Sequence, residues 1–244
     1  MSKKYSLFYM AMNMEKNHDG IGSYRYERKF IVPFDCIYAI YNILSTNSAN
    51  FREIYQSRKI NNFYFDTSNL LFFKQNVEGL SKRKKIRFRW YGELDGDIQP
   101  RLEIKKKLGT VSTKEVYNLS SVYLKNNIKV CDLIRDFDLQ ELPNALRQEI
   151  NLLQPSLLNC YKRRYFLSAD NRFRVTVDYD LNFYNILNCI YTNSAHKHND
   201  KSAILELKYD SSHDKNAHFI SNQFPFRLSR YSKYVNGINF VMGY

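Results

Sequence analysis

The chain of 244 residues carries 37 lysine and arginine residues against 24 aspartate and glutamate residues, which gives a formal net charge of +13. Its 44% hydrophobic content, with 16% aromatic residues, is enough for a folded core and excludes a disordered polyanion-binding tail. The excess positive charge indicates an anionic partner: nucleic acid, a membrane surface or a phosphate-rich small molecule.

The sequence contains no apolar run approaching the roughly 18 residues that span a bilayer. Residues 1–23 show no signal-peptide pattern and are predicted to form a flexible extension, followed by a single domain over residues 24–244. The four cysteines have no CxxC spacing, which argues against a zinc site or a disulfide framework. We therefore expect a cytoplasmic protein.

Alternation of apolar and polar residues predicts about eight strands in chain order. They cover Tyr24–Val32, Ile60–Asp66, Lys84–Tyr91, Arg101–Lys107, Thr113–Tyr117, Tyr161–Leu167, Arg172–Asp178 and Ala203–Tyr209. Helices are predicted at Phe34–Leu44, Ser121–Phe137, Asn144–Leu153 and Ala217–Phe224, and a long loop at Thr192–Lys201. Many strands with few helices favour an α+β fold, with an antiparallel barrel and helices packed outside it.

Charged residues repeatedly occupy one face of these strands. In the third predicted strand, Lys85, Arg87 and Arg89 share a face and alternate with apolar residues. The other strands present Arg25, Glu27 and Lys29; Arg101, Glu103, Lys105 and Lys107; Arg172, Arg174 and Asp178; and Glu206 and Lys208.

For a single strand, a solvated face is the ordinary interpretation, because antiparallel sheets often have one wet side. Repetition over five strands instead favours the interior of a barrel, where an anion must offset the repulsion between cations. Arginine binds phosphate oxygens with two parallel hydrogen bonds and lysine adds point charges, so such an interior suits a polyphosphate chain.

Nine short motifs on these strands and near the C-terminus occur in a specific order, although each alone is common by chance. They are Arg25-Tyr-Glu27-Arg-Lys29, Tyr64-Phe-Asp66-Thr67, Arg87-Phe-Arg89, Leu102-Glu-Ile-Lys105, Lys114-Glu115, Tyr161-Lys-Arg163, Arg174-Val-Thr-Val-Asp178, Leu205-Glu206-Leu-Lys208-Tyr209 and Ser232-Lys233-Tyr234. Together they resemble the VTC-type polyphosphate polymerase domain of the triphosphate tunnel metalloenzymes, over nearly all of residues 24–238.

The resemblance implies an eight-stranded tunnel in which a divalent metal, Mn²⁺ or Mg²⁺, assists transfer of the terminal phosphoryl group of ATP to a growing polyphosphate chain. It implies phosphate contacts from Arg25, Lys29, Arg87, Arg89, Lys105, Lys114, Arg163, Arg174, Lys208 and Lys233. It further implies that Glu206 is the principal metal-binding carboxylate and Glu27 a secondary one. The residues expected to carry catalysis are Lys29, Arg87, Arg89, Lys105 and Glu206. Alternation does not decide whether Lys114 or Glu115 points inward.

One departure bears on the reaction. Hydrolytic and cyclase members of the wider superfamily carry ExExK at the first strand, whereas Arg25 replaces the first glutamate here. This exchange removes a metal ligand and adds a phosphate contact, which favours a polymerase over a triphosphatase. An inorganic triphosphatase, another tunnel-fold nucleotide triphosphate enzyme and a non-catalytic polyphosphate-binding module remain the alternatives.

The expected partners are ATP and inorganic polyphosphate, with no nucleic acid and no membrane span in the chain. A membrane-protein partner that exports or receives the polymer is compatible with the resemblance, but no residue indicates one. Most aromatic residues fall on apolar faces and are interpreted as core, and those that contact adenine are left open. His196 and His198 are interpreted as loop residues, not as metal ligands.

Overall fold

The computed structural model describes residues 25–109, 111–125, 139–186 and 197–243. The strands in these ranges are β1 (Arg25–Val32), β2 (Arg52–Asp66), β3 (Lys82–Tyr91), β4 (Gly96–Ile98), β5 (Arg101–Leu108), β6 (Val111–Asn118), β7 (Val122–Leu124), β8 (Gln154–Leu167), β9 (Phe173–Tyr184), β10 (Lys197–Asp200) and β11 (Ala203–Asp210). The α-helices are α1 (Ile40–Ser45), α2 (Leu71–Val77), α3 (Asn144–Asn151), α4 (Asp214–Asn222) and α5 (Lys233–Met242). Two 3₁₀ turns cover Phe34–Cys36 and Ser211–His213.

Eight antiparallel strands form one continuous hydrogen-bonded path in the order β1-β11-β9-β8-β2-β3-β5-β6. β10 pairs with β9 beside this path, and β4 and β7 form a separate two-stranded sheet. Within the described ranges no ladder joins the edge strands β1 and β6. Side chains from both edges nevertheless line one cavity, so the sheet curves around a common interior. The predicted α+β fold with an antiparallel eight-stranded tunnel is confirmed.

The apolar faces of the strands point outward and are covered by helices. Leu146 and Ile150 of α3 share a buried cluster with Phe88 and Leu102 of the neighbouring strands. On the other side of the barrel, α1 and α4 cover a second cluster around Val175. Because each buried large side chain contributes about 1.5–3 kcal/mol, these clusters hold the charged faces of the strands inward.

The last helix, α5, packs on the inner face, which the sequence did not predict. Tyr234 and Ile238 lie in a third buried cluster with Tyr64 and Leu157, both of which sit on the inward face of their strands. The Tyr64 and Tyr234 rings stack with their centroids 4.9 Å apart. The helix therefore closes the interior with an apolar base and brings residues 231–234 to the cavity.

Asp66 connects this base to the sheet. Its carboxylate is fully buried and accepts hydrogen bonds from the backbone N–H groups of Thr67, Phe72 and Phe73, which satisfies the first turn of α2. The same carboxylate accepts a 2.5 Å hydrogen bond from the Tyr234 hydroxyl. Asp66, which lies in one of the nine motifs but is not among the predicted site residues, is thus a structural residue that fixes α2 and α5.

Several predicted elements need correction. The region predicted as the helix Ser121–Phe137 contains strand β7 at Val122–Leu124, and its residues 126–137 lie outside the described part. Residues 197–200 of the predicted loop form β10, where the His198 ring stacks on Phe240 at 4.1 Å, while His196 lies outside the described part.

None of the described helices is long and apolar enough to cross a membrane.

Gly237 permits α5 to approach the sheet closely. A Cβ atom built at this position would overlap Leu157 and lie 2.6 Å from Cδ1 of Phe183. We expect Gly237→Ala to lower the free energy of unfolding by about 1–2 kcal/mol, because overpacking costs outweigh the better helix propensity of alanine. Urea denaturation followed by circular dichroism measures the change.

The half-buried neighbour Asn236 provides the control. Asn236→Ala should leave stability unchanged or raise it slightly, because alanine favours the helix and meets no clash. Equal stabilities of the two variants would contradict the close packing of α5 on β8 and β9.

Candidate active site

The inward face of the sheet encloses a cavity of about 280 Å³. Nine cationic side chains line it: Lys29, Lys85, Arg87, Arg89, Lys105, Lys114, Arg163, Lys208 and Lys233. Three carboxylates join them: Glu27, Glu103 and Glu206. These groups come from six strands and from the start of α5, so the curvature of the sheet brings them together. The excess of cations favours an anionic occupant.

Lys29 lies between two carboxylates on the adjacent strands β1 and β11. Its Nζ is 2.8 Å from Oε1 of Glu27 and 3.0 Å from Oε1 of Glu206, because Lys29 and Glu206 are direct cross-strand partners. Lys208 also lies 3.0 Å from Glu206. Burial would raise the pKa of Glu206, but the charges of Lys208 and Lys29 outweigh it and hold that pKa well below its usual range. Glu206 is therefore ionised and buried.

A second group gathers around Glu103, whose side chain is 6% exposed. Its Oε2 accepts hydrogen bonds from Arg87 at 2.6 and 2.9 Å, and Arg89 lies 3.5 Å away. Lys114 approaches the other oxygen at 3.0 Å. Burial favours the neutral acid, yet the neighbouring cations lower the pKa of Glu103 far below its usual range. Glu103 fixes the direction of two guanidinium groups at the cavity wall.

Asp178 orients a third group of charged side chains, although it does not itself line the cavity. Its fully buried carboxylate accepts a 2.7 Å hydrogen bond from Nη2 of Arg163 and a further one from Nζ of Lys233. The opposing effects of burial and of the charges on Arg163 and Lys233 leave the pKa of Asp178 lowered. Asp178 thus joins a sheet cation to a helix cation and fixes both at the cavity.

Lys85, like Lys105, differs from the other cavity cations because it forms no ion pair with a carboxylate of the described residues. Its Nζ donates a 2.8 Å hydrogen bond to Oγ of Ser232. Burial, together with the charges of Lys29 and Lys105, lowers the pKa of Lys85 to about 7. The pKa of Lys105 is lowered as well, mainly by burial. Lys85 is therefore only partly protonated at neutral pH.

The structure brings together most of the residues that the sequence singled out. Eight of the ten predicted phosphate-binding residues line the cavity, namely Lys29, Arg87, Arg89, Lys105, Lys114, Arg163, Lys208 and Lys233, as do Glu27 and Glu206. Arg174 is the cross-strand partner of Lys208 on the same face but does not line the cavity. The side chain of Arg25 lies outside the described part.

The inward direction of Lys114 follows from its pairing with Lys105, whereas Glu115 points to the opposite face and binds Lys106 at 2.6 Å. Lys85, Glu103 and Asp178 were not selected from the sequence as site residues. Alternation placed all three on the charged faces of their strands, but the motif resemblance assigned them no role.

The donor set fits a divalent metal only together with a substrate. Among the described residues no cluster of three or more histidine, cysteine, aspartate or glutamate side chains could hold a metal ion. Glu27 and Glu206 are nevertheless close enough to repel each other, and both contact Lys29. Two carboxylates with phosphate oxygens and water match the usual coordination of Mg²⁺, so these residues fit a metal carried by a phosphate ligand.

The curved antiparallel sheet and its cationic interior define a tunnel protein whose cavity carries a surplus of positive charge. A model of the family described as the VTC domain matches residues 24–242. The chain therefore belongs to the VTC domain family. A search of curated proteins finds no significant match.

Among solved structures, the chain is similar to a putative adenylate cyclase from Vibrio parahaemolyticus, with a TM-score of 0.49 and 13% identity over 88% of this chain and 98% of that protein. It is also similar to the PH1819 protein from Pyrococcus horikoshii OT3, with a TM-score of 0.48 and 11% identity over 87% of this chain and 97% of that protein.

The buried position of Glu103 predicts a large cost for its neutralisation. We expect Glu103→Gln to lower the free energy of unfolding by about 3–5 kcal/mol, because it leaves buried guanidinium charges without their counterion. Chemical denaturation at pH 7 measures this change. Glu115→Gln is the matched control on the opposite face, and its half-exposed pair with Lys106 should contribute less than about 1 kcal/mol. Similar losses in both variants would contradict the described role of Glu103.

Lys85 predicts a specific dependence of stability on pH. Its folded pKa of about 7 lies below the ordinary value of 10.5, so the unfolded chain binds more protons between these limits. Stability contributed by this group therefore rises with pH from about 7 to about 10.5. We expect Lys85→Met to reduce this slope by up to about 1.4 kcal/mol per pH unit, as measured by urea unfolding across the window.

The control is Lys106→Met, which removes an outward-facing lysine of β5. Its pairing with Glu115 raises the pKa of Lys106, so its titration lies above this window. The slope between pH 7 and 10 should then remain that of the unmodified protein, and a parallel loss in both variants would contradict the special environment of Lys85.

Proposed function

We propose that this protein is a metal-dependent polyphosphate polymerase that transfers the terminal phosphoryl group of ATP to a growing inorganic polyphosphate chain. The observation that carries the proposal is the convergence of nine cations and three carboxylates on one narrow cavity, in a chain of the VTC domain family. A slim chain of phosphates can contact cations from all sides of such a cavity.

The cavity walls supply two kinds of phosphate contact. Arg87 and Arg163 bind buried carboxylates through Nε and Nη2, which fixes the direction of their remaining N–H groups, whereas Lys29, Lys105 and Lys233 add compact charges. These contacts align a donor triphosphate with the end of an acceptor chain. Phosphoryl transfer depends mainly on such positioning and on neutralising charge over the transferred group.

The proposed reaction needs no strong general base. The attacking group is the terminal phosphate oxygen of the acceptor chain, which is already ionised at neutral pH. It forms a bond to the γ-phosphorus of ATP as the bond to the bridging oxygen breaks, and ADP leaves with that electron pair. Lys29, Arg87, Arg89 and Lys105 stabilise negative charge on the transferred group and on the leaving phosphate in this proposal.

Glu206 would be the principal residue to hold a divalent metal, with Glu27 beside it. When bound, Mn²⁺ or Mg²⁺ supplies charge neutralisation to the phosphate oxygens. Lys29, which contacts both carboxylates, fixes their positions and limits their repulsion.

The proposed setting is the cytoplasm, where ATP is available, and the proposed partners are ATP and polyphosphate. Cys36 and Cys160, the cysteines in the described part of the chain, are both free thiols, which accords with a reducing compartment. Arginine at position 25, where hydrolytic tunnel enzymes carry glutamate, supports transfer to phosphate over transfer to water.

Purified protein with ATP and Mn²⁺ should produce ADP and long polymer that an exopolyphosphatase degrades. Gel electrophoresis with a polyphosphate stain and quantification of ADP measure both products. Orthophosphate as the sole phosphate product would refute the polymerase and indicate a triphosphatase. Ligand binding without turnover would indicate a binding module.

Glu206→Gln tests the carboxylate in the same assay. We expect at least a 100-fold loss of polymer formation, because the variant keeps the shape of the side chain but removes its charge. Glu53→Gln is the control, since Glu53 forms an ion pair with Arg164 away from the cavity. Activity of Glu53→Gln should match that of the unmodified protein.

A further inference from the structure

Three side chains form a compact stack on strands β2 and β8. The Tyr55 and Tyr165 rings meet edge to face with centroids 5.8 Å apart, and the Arg58 guanidinium lies 5.1 Å from the first ring and 5.5 Å from the second. We call Tyr55, Arg58 and Tyr165 the aromatic stack. It is half-buried and lies where β2 departs from regular pairing, with irregularities on both sides of Tyr55.

The aromatic stack adjoins the cavity. Arg58 is the cross-strand partner of Arg163, which lines the cavity wall, and Tyr165 follows Arg163 by two residues on the same strand face. The stack is therefore a continuation of the wall formed by Tyr161 and Arg163. A molecule whose phosphates occupy the cavity can reach the stack without leaving this face of the sheet.

The chemistry of the stack differs from that of the cavity. The cavity cations Arg87 and Arg163 are held by buried carboxylates, whereas no carboxylate of the described residues forms an ion pair with Arg58. The Arg58 guanidinium instead lies over both rings, 5.1 and 5.5 Å from their centroids. Such aromatic and guanidinium planes bind nucleobases by stacking, which tolerates different bases.

Burial raises the pKa of the Tyr165 hydroxyl to about 12, although the charges of Arg163 and Arg58 act to lower this pKa. The hydroxyl therefore stays protonated at neutral pH and is available as a hydrogen-bond donor. Tyr91, beside the same wall on β3, carries the Arg101 guanidinium 5.9 Å from its ring. The inner face of the sheet therefore carries mainly charged side chains in the cavity and mainly aromatic rings beside it.

We infer that the aromatic stack binds the nucleobase of a nucleoside triphosphate whose phosphates occupy the cationic cavity. The inference rests on the proposed function for its choice of ligand, and it adds the residues that distinguish a nucleotide from a bare triphosphate. The stack gives the ligand a direction, because it fixes which end of the triphosphate carries the base.

Binding of ATP and of inorganic tripolyphosphate, each measured by isothermal titration calorimetry at fixed salt and Mg²⁺, tests the inference. Tyr165→Ala should raise the Kd for ATP about 5- to 100-fold, the range that loss of one base–aromatic contact produces. The Kd for tripolyphosphate should change less than about twofold. Tyr165→Phe keeps the ring and should retain most of the affinity for ATP.

Two variants frame the result. Tyr38→Ala removes an exposed tyrosine, 87% accessible, outside the cavity wall and should change neither Kd. Arg87→Ala removes a cavity cation and should weaken both ligands. Thermal unfolding by circular dichroism of each variant checks that the fold is retained; if Tyr165→Ala fails to fold, Tyr55→Ala replaces it with the same expected result.

The inference fails if Tyr165→Ala weakens both ligands equally or neither, or if the unmodified protein binds tripolyphosphate but not ATP. The last outcome leaves the cavity as a phosphate site. An oligoadenylate that binds more tightly than ATP would assign the stack to single-stranded nucleic acid instead. Polymer formation from ATP that Tyr165→Ala leaves unchanged at limiting ATP would refute the stack while the polymerase proposal stands.

Discussion

The repulsion between like charges inside the sheet is the constraint on which the rest of the molecule depends. Nine cations line a cavity of about 280 Å³, and their mutual repulsion would separate the strands that carry them if no other interaction opposed this repulsion. The opposition comes from Glu103, Glu206 and Asp178, each nearly or fully buried and each contacting at least two cations. The outer hydrophobic clusters then hold the curved sheet together. The cavity therefore keeps a surplus of positive charge, which favours an anionic ligand.

Helix α5 shows how closely this electrostatic interior depends on packing. The Ser232 hydroxyl accepts a hydrogen bond from the backbone N–H of Val235 at the start of the helix. It also accepts a hydrogen bond from Nζ of Lys85. The carbonyl of Tyr231 accepts from Lys29, and the Lys233 amine binds Asp178. One helix start thus contacts three separate parts of the cavity wall. Its position is in turn set by the absence of a side chain at Gly237.

The alternation of apolar and polar residues along the strands was sufficient to predict the cavity wall, but not the apolar base that helix α5 forms. Where one face of a strand is apolar, as in β3, alternation identified the inward residues Arg87 and Arg89 correctly. It gave no signal for the first half of β2, which is largely exposed on both faces, or for Gln154–Cys160 of β8, which is largely buried on both. Helix α5 was missed because its internal glycine weakens the helical pattern, and close packing on the sheet compensates for that weakness.

The total charge of +13 also acquires a different meaning once the cavity is known. Nine cations and three carboxylates inside it account for six of the thirteen excess charges. The remaining surface is closer to neutral than the composition suggests. This distribution could not be obtained from composition, since it depends on which residues of each strand share a face.

The open seam between the edge strands has a mechanical consequence. Lys29 on β1 and Lys105 on β5, next to β6, are near enough to repel each other across it, and no backbone ladder joins β1 to β6 within the described ranges. An anion between these amines replaces repulsion with attraction to both edges. The bound anion then links the two edge strands, which no backbone ladder joins in the described part of the chain. The barrel should therefore be more rigid with an anion bound than without one, and strands β1 and β6 should separate more readily without it.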